Sequence, residues 1–350
     1  MKPCIALHRR TAYVLTLMGV ACLAATAQAD TLAVANKAEA SVSLIDLDSG
    51  EVVATLPTEG GPHEVGISPD GRYALVSNYG VRGSSGQSLT LIDIPAAKAL
   101  KTIDLGKQTE PHGVEWLDDK HAVVTIEASK ALIVVDVMQG KIVQTIDTDQ
   151  ETSHMVAIDR EGQRAYVTNI GSGSITVVDL ETGKRISNIP TGDGAEGVAV
   201  SDSGEHIWVT NRAADTVTVL DAVTLETVKE FESKGFPIRA TATPKGQVLV
   251  TRARAGDLII YDAKTMEEVR TVSFDLKSMD VEERLFGDRF GDSSVPIGVI
   301  VDSAGDHAFV AHANADVITE VNLATGEIVR TLRAGKEPDG MGYSPHAAMR

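Results

Sequence analysis

From residue 31 onward the chain is written in short runs of five or six residues in which apolar and polar positions alternate, with turn residues between them. Ile207-Trp208-Val209-Thr210-Asn211 and Val217-Thr218-Val219-Leu220-Asp221 show the form, with β-branched or aromatic residues at every second position. A period of two in runs this short predicts strands, since a helix needs a longer apolar stripe at a period of about 3.6. Asp70-Gly71, Thr182-Gly183 and Thr325-Gly326 stand between such runs and suit tight reversals.

The runs recur as a phrase of four. In its clearest copy, residues 194–204 form the first run, and Ile207 to Asn211, Val217 to Asp221 and Thr227 to Lys229 form the others. The third run ends at Asp46, Asp93, Asp136, Asp179, Asp221, Asp262 and Asn322, which lie 47, 43, 43, 42, 41 and 60 residues apart. That period, with four strands per unit, predicts an all-β fold: a seven-bladed β-propeller with four-stranded blades. Residues 31–57 lack a first run, and Pro338-Asp339-Gly340-Met341-Gly342-Tyr343-Ser344-Pro345 is a first run with nothing after it. Pairing the two ends completes the seventh blade and removes the exposed edges of an open stack, so one domain is expected over 30–350.

The second run at 166–169 reads Tyr166-Val167-Thr168-Asn169, with close variants at Trp208-Val209-Thr210-Asn211, Leu75-Val76-Ser77-Asn78 and Phe309-Val310-Ala311-His312. Over essentially residues 31 to 345 the chain resembles the YVTN-repeat β-propeller family of periplasmic, cytochrome d1-like and lactonase-like propellers. The resemblance implies the fold. It implies no single activity, because the family includes lactonase-like enzymes and metal- and haem-associated proteins.

The first 29 residues carry Lys2, Arg9 and Arg10, an uncharged run from Thr11 to Ala25, and Ala27-Gln28-Ala29. This predicts a secretory signal peptide over 1–29 and a periplasmic mature protein. The run of about 15 residues falls short of the roughly 20 that a membrane helix needs, so no transmembrane segment is expected. Cys4 and Cys22 both lie in this segment, which removes disulfides, thiolate metal sites and covalent c-type haem from the mature chain. It would keep 29 basic against 49 acidic residues, a net charge near −20, and so no nucleic-acid partner is expected.

Strand directions alternate within a blade, so the start of each first run and the end of each second run meet on one face, around the channel mouth. Round the ring the first-run positions are Asp339, His63, His112, His154, Glu196, Ile238 and Ile297. Five consecutive blades thus offer metal-ligand types, and His63, His112, His154, Glu196 and Asp339 are the candidate ligands of a divalent transition metal, zinc or copper. The second runs end in Asn36, Asn78, Glu127, Asn169, Arg212, Arg252 with Arg254, and His312, while Arg239 follows Ile238. Asn169, Arg212, Arg239, Arg252, Arg254 and His312 are candidate contacts for a small anionic ligand. Plainer roles stand beside these: a histidine at a strand start can bond to backbone, the motif Asn can shape its own loop, and the third-run Asp reads as a structural acceptor.

The connection from about 274 to 295 is long enough to predict a lid over the mouth, with Asp280, Glu282, Glu283, Phe286, Asp288, Phe290 and Asp292 in it. Residues 80–88, rich in Gly and Ser, read as a flexible rim. Three functions follow from these features. The first is a periplasmic binding propeller for a transition metal or small anion. The second is a lactonase-like or lyase-like enzyme using the same imidazoles, with Arg212, Arg239 and Arg252 on a substrate carboxylate. The third is a scaffold for a periplasmic protein partner.

Overall fold

A computed structural model describes residues 1, 29–276, 284 and 286–349; the expected signal peptide lies outside them except for Met1 and Ala29, as do Asp280, Glu282 and Glu283 of the expected lid. Seven four-stranded antiparallel sheets form the seven blades of an all-β propeller. Blade one is the composite: the strand Pro338–Ser344 pairs with Thr31–Asn36, in the register Thr31 to Ser344 and Val34 to Met341. Blades two to seven start with the inner strands Pro62–Ile67, Pro111–Trp116, Ser153–Ile158, Ala195–Val200, Pro237–Ala242 and Pro296–Val301. No helix among the described residues is long and apolar enough to cross a membrane.

Burial follows strand order. The second strands Thr31–Asn36 and Arg164–Asn169 are buried along almost their whole length, whereas the outer strands Val52–Pro57 and Lys98–Asp104 alternate between exposed and covered residues. Each apolar cluster spans two neighbouring blades: Leu75, Leu89 and Leu91 of blade two meet Val124 and Ile133 of blade three, and Trp208 of blade five meets Tyr261 of blade six. A single blade has no core of its own, so the ring is held by blade-to-blade burial.

The third-run acids act as structural acceptors. Asp93 Oδ1 accepts from the Ala96 amide at 3.0 Å, and Asp179, Asp221, Asp262 and Asn322 repeat the contact three residues on. The 80–88 segment is more regular than a loose rim: the strands Tyr73–Val81 and Ser84–Asp93 continue as a paired hairpin around Arg82-Gly83, where Gly83 takes the left-handed φ of 85°. Alternation simply carries on past the motif, which glycine and serine composition conceals.

Candidate functional site at the channel mouth

Three local devices aim the inner-strand starts at the axis. Two residues before each ring position the backbone is left-handed, at Gly61, Glu110, Thr152, Gly194, Phe236, Val295 and Glu337, with φ between 55° and 74°. Five of these are not glycine, and Thr152 and Val295 are β-branched, so the turn stores about 1–2 kcal/mol at each. A bulge follows in every blade, as between Pro62 and Val65 or Ser153 and Val156. In blades two to six the hydroxyl residue of the second strand then ties the bulge down. The Gly113 amide donates to Thr125 Oγ1 at 2.7 Å, and that hydroxyl donates to the His154 carbonyl of the next blade; Thr168, Thr210 and Thr251 repeat the clip.

The clip brings five ring residues together. His63 and His112 face each other Nε2 to Nε2 at 3.1 Å, and the His112 and His154 ring centroids are 3.6 Å apart. His63 Nδ1 lies 3.1 Å from Asp339, His154 Nδ1 lies 2.5 Å from Glu127, and His154 Nε2 lies 3.3 Å from Glu196. Tyr79 donates to the other oxygen of Glu127 at 2.7 Å. Two overlapping groups, His63-Glu64-His112 and His112-Glu127-His154, each hold three potential ligand atoms within 4.8 Å of one another. His112 Nδ1 is buried with no hydrogen-bond partner among the described residues.

Burial pushes His63 and His112 well below the ordinary imidazole range, helped at His63 by Lys37 and Arg239 and at His112 by His154. Burial also works against charge on His154, but Glu196 and Glu127 outweigh it and hold this imidazole above its usual range. Beneath the histidines, the buried Arg239 guanidinium contacts Glu64 of blade two across the channel, Glu196 at 3.4 Å and Asp339 at 3.8 Å. Burial raises Glu64, and Arg239 offsets part of that rise.

Blades six and seven differ. Their ring positions are Ile238 and Ile297, and their second strands are followed by Ala253 and Ala313; all four belong to one apolar cluster with Phe236 and with Phe290 of the long connection, and Phe286 packs against it. Phe236 and Phe290 rings lie 4.9 Å apart. Phe286, Ile238 and Ile297 complete a cavity of about 200 Å³ whose other walls are the imidazoles, Lys37 and Arg212. The expected lid is therefore, in its described part, a roof over two blades.

Residues 7–122 match a YNCE-like beta-propeller family, and residues 116–274 match the cytochrome D1 heme domain. Among solved structures the chain is similar to dihydro-heme d1 dehydrogenase NirN in complex with DHE, with a TM-score of 0.64 and 15% identity over 89% of this chain and 74% of that one. It is also similar to a functionally unknown protein from Desulfotomaculum acetoxidans, with a TM-score of 0.73 and 14% identity over 91% of this chain and 99% of that one. Each family match covers less than half of the chain, and together they fit propellers of the cytochrome d1-like kind. No curated protein matches the sequence. At such identity the two structures speak for the fold alone.

In this propeller, His63, His112, His154, Glu196, Asp339, Arg212 and Arg239 line the cavity, and Asn169, Arg252, Arg254 and His312 do not. Asn169 Nδ2 donates to Thr176 Oγ1 at 3.0 Å inside its own blade, where Asn78 and Asn211 make the same strand-to-strand bond. His312 stands in the motif Asn position, between Ser294 and Thr319 hydroxyls at 2.9 Å each. Arg252 forms a two-pronged ion pair with Asp257, and Arg254 lies over Phe236 and Phe290 beside Asp215. The residue that reaches the mouth comes one place later, and in blades one to five it is Lys37, Tyr79, Glu127, Ile170 and Arg212. Lys37, Tyr79 and Glu64 were missed by reading the motif column alone; reading one residue past it finds the first two, and the place after His63, equivalent to Arg239, finds the third.

Proposed function

We propose that this propeller binds a transition-metal ion at its channel mouth through His63, His112 and His154. The observation that carries the reading is the pair of buried imidazoles with ring nitrogens 3.1 Å apart, both kept neutral by burial, beside a third ring and an unpartnered His112 Nδ1. Buried neutral imidazoles bonded to each other, one of them with its second nitrogen unpartnered, form a donor set that a metal ion would satisfy. Asp339 and Glu127 stand behind His63 and His154 on the other ring nitrogen, the arrangement that fixes tautomer and ring orientation in metal sites. Imidazole with carboxylate suits a borderline divalent ion such as zinc or copper.

Charge decides between a cation and a free anion. Four carboxylates, Glu64, Glu127, Glu196 and Asp339, meet Lys37, Arg212, Arg239 and the raised imidazole of His154, whose proton a metal ion would replace, so a cation is a better match than an added anion. The fold family raises haem, and the small space at the mouth argues against it. About 200 Å³ is below the roughly 300–1,000 Å³ of cofactor-sized pockets, and the three imidazoles are only 1–6% exposed.

Equilibrium dialysis against zinc, followed by elemental analysis, tests the proposal. Wild type should retain one ion that a His63→Gln/His112→Gln/His154→Gln triple variant loses, and haem titration should produce no bound-haem absorption band. Equal zinc in both proteins would remove the reading.

A further inference from the structure

The two-blade apolar sector is bracketed by cations. Going round the mouth, Ile238 and Ile297 under Phe286 stand between Arg212 on blade five and Lys37 on blade one. Arg212 is committed to Glu196 at 2.5 Å. Lys37 is held differently: its Nζ donates to His63 Nε2 at 2.7 Å and lies 3.6 Å from Asp339. An ammonium group can only donate, so Nε2 is the lone-pair nitrogen, the atom a metal would take. An ion on that atom and an ammonium group at the present distance repel each other strongly in a buried site. Loading the metal therefore displaces Lys37 from His63 and leaves beside the apolar sector an ammonium whose remaining partner is Asp339.

We infer, resting on the metal reading above, that the metal-loaded mouth takes a small organic monocarboxylate, its apolar flank against Ile238, Ile297 and Phe286 and its carboxylate on Lys37. The cavity of about 200 Å³ lies below the size of pockets for drug-sized ligands, which favours an acid of a few carbons. Apolar contact selects the flank and charge orients the head, the usual division of labour in small-ligand pockets. Metal and acid then bind in a fixed order, because the ion releases the lysine from His63.

The test is titration calorimetry of the full chain with isobutyrate and formate as probes, zinc-loaded and zinc-free, with zinc content measured on the same samples. Isobutyrate should bind the zinc-loaded protein at least tenfold more tightly than the zinc-free protein, and more tightly than formate. Lys37→Met should lose about tenfold for both acids, Lys37→Arg should recover most of it, and Ile297→Ser should weaken isobutyrate while sparing formate. One zinc per chain with isobutyrate binding no better than in zinc-free protein, or unchanged by Lys37→Met, overturns this inference and leaves the metal reading standing. Absence of bound zinc in wild type overturns both.

Discussion

Two regions share the channel mouth and are built on opposite terms. Blades one to five present Asp339, His63, His112, His154 and Glu196 at the ring position, tied to each other and to Glu127 and Arg239 by polar contacts. Blades six and seven present Ile238 and Ile297 at the same position, with alanines beside them and phenylalanines above. The backbone is common to both regions: the left-handed residue and the bulge occur in all seven blades. The scaffold thus sets where side chains converge, and residue choice alone decides whether they make a charged cluster or a dry seat. Small residues in blades six and seven, at Ala253 and Ala313, also make the room that the long connection fills.

The largest expected effect comes from breaking the polar region at Arg239. Its guanidinium is buried and compensates Glu64, Glu196 and Asp339, so Arg239→Ala should cost about 3–5 kcal/mol in denaturant unfolding. Adding Glu64→Gln should recover part of this, since one stranded carboxylate is removed. Equal stability of the single and double variants would show that the two groups are not coupled.

The apolar region should respond on its own. Phe290→Ala removes the ring packed at a tilt against Phe236 and is expected to cost about 3 kcal/mol, at the low end for buried phenylalanine. Zinc content by elemental analysis should be unchanged, and its loss would mean that the two regions are not separable.

A smaller effect lies between them, at His312, which burial pushes down to about 3 from its ordinary value of 6.5. The folded protein cannot protonate this ring where the unfolded chain can, so stability falls as pH drops from 6.5 toward 3. Relative to pH 7 the loss at pH 5 is about 2 kcal/mol, from 1.36 kcal/mol per unit. His312→Asn, the residue used at this place in blades one, two, four and five, should remove that part of the acid sensitivity. Parallel stability-pH curves for wild type and variant, measured by urea unfolding, would contradict the assignment.

Much of the architecture was legible because each blade is a local unit. Strand period, turn chemistry and the recurring Asp are all set within about forty residues of chain, so the spacing of Asp46 to Asn322 was enough to count blades and to pair the termini. The ring column of Asp339, His63, His112, His154 and Glu196 was legible for the same reason. The second column was read correctly at Glu127 and Arg212 and one residue early at Asn36 and Asn78. Asn169, Arg252 and His312 end their strands with side chains turned into their own blade, while Lys37, Tyr79 and Glu127 reach over the mouth.

The sequence by itself determined the repeat, the number of blades, the closure and the residue types at each strand start, since all of these follow from short-range alternation and its period. Only the tertiary structure decided which of those residues touch. Glu64 and Arg239 are 175 positions apart and meet because the ring closes. Beyond a strand end, alternation no longer says where a side chain points; the left-handed turn, the bulge and the curvature of the ring do.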